Sequence, residues 1–190
     1  MPELHITGDP AADQLLSDEP LALLIGMLLD QQVPMETAFA GPAKIHDRLG
    51  RVDANTIADA DPEKFAGLFK QPPAVHRFPG SMAERTQALC AAIVADWGGK
   101  AERLWTDGHP DGATILSRLK ALPGFGEQKA KIFLALLGKQ YGLTATGWQD
   151  AAGHYGDTGS YRSVADIVDP SSLTKVREFK KAAKAAAKEK

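Results

Sequence analysis

Leu21 to Leu29 is a run of nine apolar residues with no charged or polar interruption. Its Leu/Ala/Met composition favours helix over strand. A helix that is apolar on every side has no face to offer water and must sit among other helices. The run is far shorter than the roughly 20 residues a membrane span needs. The rest of the chain must therefore supply the surrounding layer. Its 190 residues, 44% of them hydrophobic, suffice for one domain, or one main domain with a smaller flank, and exclude a disordered chain.

Helix starts recur along the sequence. Asp9-Pro10, Asp18-Glu19-Pro20, Asp53, Asp61-Pro62, Asp111 and Asp169-Pro170 each read as an N-cap before a helix. Ser81 with Glu84 reads as a capping box. Leu89, Ile93 and Trp97 then mark one buried face, closed by Gly98-Gly99. A helix over 35–49 is expected to break at Gly41-Pro42, and residues 71–80, rich in Pro, read as a loop. The total is about ten helices with no persuasive strand, so the fold class is all-α. The single cysteine, Cys90, excludes an intramolecular disulfide framework and any four-cysteine cluster or zinc site. The N-terminus lacks the layout of a signal peptide, which makes a cytoplasmic setting the expectation. The net charge of -2 hides an asymmetry: residues 176–190 carry a net +4 and the remainder -6. This is no globally basic nucleic-acid binder, but a local basic surface is compatible with it.

The stretch Leu119-Lys120-Ala121-Leu122-Pro123-Gly124-Phe125-Gly126-Glu127-Gln128-Lys129-Ala130-Lys131 carries the most chemistry. One helix ends at Leu122-Pro123. Gly124 and Gly126 permit a tight turn without side chains in the way. Phe125 points back between the helices. The next helix begins at once, so its free N–H groups and dipole face outward and suit a phosphate. Lys120, Lys129 and Lys131 can add charge. Such contacts fix register on a nucleic acid and read no sequence.

This hairpin resembles the helix-hairpin-helix motif. Together with the buried helix and Gln31-Gln32 roughly 90 residues upstream, the chain resembles the helix-hairpin-helix DNA glycosylase superfamily (HhH-GPD), of the endonuclease III and alkylated-base glycosylase type, over residues 20 to about 150. The resemblance implies a multi-helix glycosylase-like fold. A helical domain over 20–142 would hold the hairpin at about 114–140. Residues 1–19 and 143–179 would form a flanking helical subdomain. The basic tail 180–190 reads either as a solvated helical extension or as a frayed, disordered end. The implied partner is double-stranded DNA with a damaged base, with no membrane role and a nucleoid-associated location. The implied activity is eversion of that base and cleavage of its glycosidic bond in base-excision repair. Gln32, with Gln31 beside it, matches the residue that fills the vacated space.

Bifunctional relatives carry a Schiff-base Lys where this chain has Gln128, and an amide cannot form that adduct. Lys129 lies one helix step, about 100°, off that face and reads as a phosphate contact. The resemblance therefore implies a monofunctional enzyme without lyase activity, closest to the alkylated-base glycosylases. The catalytic carboxylate falls on Asp150, 24 residues past Gly126, with Asp157 as second choice and helix capping as the structural reading of Asp150. Trp148 and His154 are candidates for a base pocket, with Tyr155 beside them. No cofactor is implied, since an iron–sulfur cluster needs four cysteines; a monovalent cation at the hairpin is the one ion the resemblance leaves room for. The competing reading is a non-catalytic helix-hairpin-helix protein that binds DNA through its backbone.

Overall fold

The computed structural model describes residues 2–189, and Met1 and Lys190 lie outside that range. Eleven α-helices and two 3-10 turns make up the described residues, without a strand. The helices are α1 (Pro10–Asp18), α2 (Pro20–Leu29), α3 (Met35–Leu49), α4 (Ala54–Asp59), α5 (Pro62–Lys70), α6 (Pro79–Trp97), α7 (Arg103–Thr106), α8 (Gly112–Lys120), α9 (Glu127–Gln140), α10 (Trp148–Ala151) and α11 (Pro170–Lys188). The 3-10 turns are Gly153–Gly156 and Val164–Asp166. No helix among them is long and apolar enough to cross a membrane.

The apolar run forms α2, and every residue from Leu21 to Leu29 is buried. Around it stand α1, α3, α6 and α9. Two glycines set how closely α3 approaches. A Cβ on Gly26 would sit 2.5 Å from a Phe39 ring atom, and one on Gly41 would sit 2.5 Å from Leu29 Cδ1. This close fit also accounts for one departure from expectation: α3 runs unbroken through Pro42, which is buried against its neighbours, so packing outweighs the lost backbone hydrogen bond. Ser81 and Glu84 likewise lie inside α6, which starts two residues earlier at Pro79 with Phe78 as its N-cap. The aspartates at 9, 53, 61, 111 and 169 do cap their helices, each accepting a backbone N–H.

A first group of helices, α4, α5 and α6, packs together beside α2 and α3. The second group gathers on α9, which touches α8, α10 and both 3-10 turns. Helix α1 packs on α2 and α3, and residues 148–166 wrap α9. Residues 180–188 continue α11 as an exposed helical extension.

The seam between α8 and α10 tolerates no added bulk. The Gly112 N–H donates to Thr146 O at 2.8 Å, and a Cβ at Gly112 would lie 2.5 Å from Trp148 Cα and 2.6 Å from Trp148 N. These are backbone atoms, which cannot swing aside. Gly112→Ala is therefore expected to destabilise the fold by about 1–3 kcal/mol, read as a lowered unfolding midpoint. A midpoint equal to wild type would show that the seam is looser than its geometry.

Candidate functional site

The hairpin between α8 and α9 adopts the geometry its sequence dictates. Gly124 has φ +82°, in the region that favours glycine, and a Cβ there would meet Leu28 Cδ1 at 2.4 Å. Phe125 is buried and packs edge-on against Phe133, with ring centroids 6.3 Å apart. Its side chain serves packing, and its N–H is taken by Leu122 O at 3.1 Å. Gly126 is the N-cap of α9, exposed, and no side chain caps the helix. The first N–H groups of α9 thus point to solvent with no side chain occupying them, as an anion site requires. Within the turn the Leu122 N–H donates to Leu119 O and the Phe125 N–H to Leu122 O, each at 3.1 Å. Among the described residues no cluster of acidic, His or Cys side chains could hold a metal ion.

The lysines separate. Lys120 is exposed at the hairpin. Lys131 is half-buried and its Nζ lies 3.4 Å from Glu127 Oε1, so its charge is partly met. Lys129 turns inward. Its Nζ donates to Met27 O at 2.9 Å and Leu28 O at 2.8 Å, tying α9 to the end of α2. Burial, offset in part by the carboxylate of Asp30, brings its pKa down to about 8. The phosphate contact expected of Lys129 is corrected on this ground: its ammonium is already engaged by carbonyls on the interior side.

Across from the hairpin, α2 ends in the corner Asp30–Pro34. His76, fully buried, donates from Nε2 toward Leu29 O (3.1 Å) and Gln31 O (2.9 Å) and accepts the Phe78 N–H at Nδ1 (3.0 Å). These partners require the neutral ring with its proton on Nε2. Gln31 is held on both ends of its amide: Nε2 donates to Leu28 O at 2.9 Å and Oε1 accepts from Arg85 at 2.8 Å. Gln32 differs. It is exposed, has φ +60°, and its side chain makes no hydrogen bond with the described residues. A non-glycine residue in the left-handed region is uncommon and marks a corner held there by its surroundings.

Two cavities meet at this corner. One, of about 600 Å³, holds Gln31, Gln32, Arg77 and Phe78; the other, of about 390 Å³, holds Gln128, Ile132, Tyr155 and Phe179. Asp30, Lys180 and Lys184 line both. Gln128 Nε2 donates to Tyr155 OH at 3.0 Å. Helix α11 forms the far wall. Its Arg177 pairs with Glu36 of α3, and Lys180 Nζ lies 3.8 Å from Asp30 Oδ2. Sequence reasoning missed Asp30 and the basic stripe of α11, whereas Tyr155, placed beside the pocket candidates, does line the smaller cavity. The spacing 177, 180, 184 would have shown a single helix face, but not what it faces.

The loop residues stand elsewhere. Asp150 is exposed on α10 and lines a shallow depression with His154 and Asp157. That depression shares no lining residue with the cavities at Asp30. The His154 side chain is mostly exposed, with Nδ1 3.3 Å from Asp157 Oδ2. Trp148 lies flat against Gly138 of α9, where a Cβ would come within 2.4 Å of its ring. The structure thus brings Gln31, Gln32 and Gln128 to one cleft and leaves Trp148, Asp150 and His154 outside it. Trp148 packs as an anchor on α9, and His154, mostly exposed, stays beside Asp150 in the shallow depression.

The model of the HhH-GPD superfamily of base excision DNA repair proteins matches residues 25–185. The comparison with curated proteins gave no match.

The neutral His76 makes the corner sensitive to acid. Burial lowers its pKa below the ordinary 6.5, so on acidification the unfolded chain binds the proton first. The stability due to His76 is complete above the ordinary value and is lost as pH falls through the lower folded value. Urea unfolding below about pH 6.5 should show a steeper loss for wild type than for His76→Gln, which cannot titrate. Parallel losses would remove His76 as the cause.

Proposed function

The chain belongs to the HhH-GPD superfamily of base excision DNA repair proteins, and from that premise we propose that it is a monofunctional DNA glycosylase that everts and hydrolytically releases a damaged, alkylated base. The observation that carries this reading is the exposed, uncapped start of α9 beside a cleft whose rim bears Gln32. The amides of the hairpin would grip one phosphate. Gln32, unpartnered on its left-handed corner, would enter the duplex. The everted base would lie toward Tyr155 and Phe179, whose rings offer stacking surface.

Two features support release without strand scission. Gln128 stands where bifunctional relatives carry the Schiff-base amine. Lys129, the adjacent amine, directs its Nζ at the carbonyls of α2. An alkylated base also suits a site with few catalytic groups. Its ring already carries positive charge, so it departs as a neutral molecule without a proton from the protein. The loop aspartate, Asp150, remains the residue chosen by spacing, but its exposure gives that choice no geometric support. This favours, as the second reading, a non-catalytic protein that grips DNA at the hairpin. Release of a free base from lesion-containing duplex separates the two: the first reading requires it and the second forbids it.

Both readings demand phosphate contact at the hairpin. Gly126 has φ −85° and ψ −177°, and open space surrounds a Cβ there. Gly126→Asp therefore fits as an N-cap and should raise helix stability by a few tenths of a kcal/mol. Its carboxylate would occupy the amides and repel phosphate. Duplex binding should weaken by about tenfold or more, and wild-type binding should fall steeply with salt. Unchanged affinity in a fully folded variant would place the DNA elsewhere.

A further inference from the structure

Asp30 follows α2 directly, and its side chain is only 8% exposed. That place is costly for a carboxylate in two ways. Burial strips its hydration, and the carboxyl end of a helix carries partial negative charge. A carboxylate retained for structure is normally tied by donors, and this protein shows what that looks like. Asp13 accepts from Ile6 N, Thr7 N and Thr7 Oγ1 at 2.8–3.1 Å. Asp166 accepts from Lys139 Nζ, Ser160 Oγ and Arg162 N at 2.6–3.1 Å. Asp30 accepts no hydrogen bond from any described side chain or backbone group, and its nearest cation, Lys180, stands 3.8 Å away on a half-exposed side chain. Its oxygens face the junction of the two cavities, between the corner bearing Gln32 and the wall bearing Tyr155.

We propose that Asp30 is the catalytic carboxylate of this protein, facing the sugar of the everted nucleotide and taking the proton of the attacking water. The proposal rests on the glycosylase reading above and replaces Asp150 in it. The bond from C1′ to the base nitrogen breaks, and its electron pair leaves with the base, neutralising the alkylated ring. The positive charge that develops on the sugar is stabilised by the ionised carboxylate. The water oxygen bonds to C1′, and its proton passes to Asp30 and then to solvent. The base leaves neutral and the sugar carries a hydroxyl, so no further reactant is needed.

The surroundings suit this task. The smaller cavity, about 390 Å³, falls within the roughly 300–1,000 Å³ of small-molecule sites. Burial raises the Asp30 pKa above its usual value, while Lys180 and Lys129 pull it back, so this carboxylate takes up a proton more readily than an exposed one. Lys129 acts as a positioning residue: it fixes the last turn of α2, from which Asp30 projects.

The test compares single-turnover base release from duplexes carrying alkylated bases with binding of the same duplexes. Asp30→Asn is isosteric and removes a buried charge, so it should fold and bind as wild type. Its release should fall by about 10²–10⁴-fold. Asp30→Glu, which restores the carboxylate, should recover part of that loss, and Asp150→Asn should release base at the wild-type rate. Wild-type release by Asp30→Asn, or loss confined to Asp150→Asn, overturns the assignment and leaves the glycosylase reading intact. Release absent from wild type across all the duplexes overturns both. Should Asp30→Asn fail to fold, Asp30→Ser takes its place: wild-type release by that variant overturns the role.

Discussion

The last carbonyls of α2 point into the protein, away from water, and each needs a donor. Lys129 reaches them from α9 and bonds Met27 O and Leu28 O; His76 reaches Leu29 O and Gln31 O from the loop before α6; Gln31 folds back on Leu28 O. Three side chains from three parts of the chain thus converge on one helix end. They join the helices around α2 to those around α9, and they fix the corner on which Asp30, Gln31 and Gln32 stand. The hairpin and the cleft keep their spacing because the same lysine belongs to the hairpin helix and touches the corner.

The division of labour within the site follows from what each group can still offer. Gln31, bonded at both ends of its amide, is structural, whereas Gln32 beside it is unengaged. Asp13 and Asp166 are saturated with donors, and Asp30 is not. In each pair the same residue type plays opposite parts, and the number of satisfied hydrogen bonds distinguishes them.

Much of the architecture was readable along the chain because its causes are local. An aspartate before a proline caps a helix wherever it falls, and Leu-Pro-Gly-Phe-Gly turns one helix into the next through backbone rules alone. The buried α2 was legible because composition by itself forbids it a solvent face. The cleft was not. The burial of Asp30 depends on α9 and α11, which lie about a hundred residues and more downstream, and nothing near Asp30-Gln31-Gln32 distinguishes it from a polar helix end. Lys129 looked like a surface cation because periodicity gives its helix face but not that the carbonyls of α2 wait there. Trp148 was drawn into the site by its chemistry, although Gly138 had left the flat space that the indole fills. Pro42 and Ser81 followed the same pattern, with tertiary contacts outweighing a sound local signal.

The backbone at Gln32 has a consequence for how this surface can vary over generations. A left-handed corner costs an L-residue roughly 1–2 kcal/mol, and glycine would occupy it without that burden. Mutational drift governed by thermal robustness alone would erode the long amide at that spot. Stability and reach thus pull in opposite directions at position 32, where the chain holds an exposed amide arm on a left-handed bend.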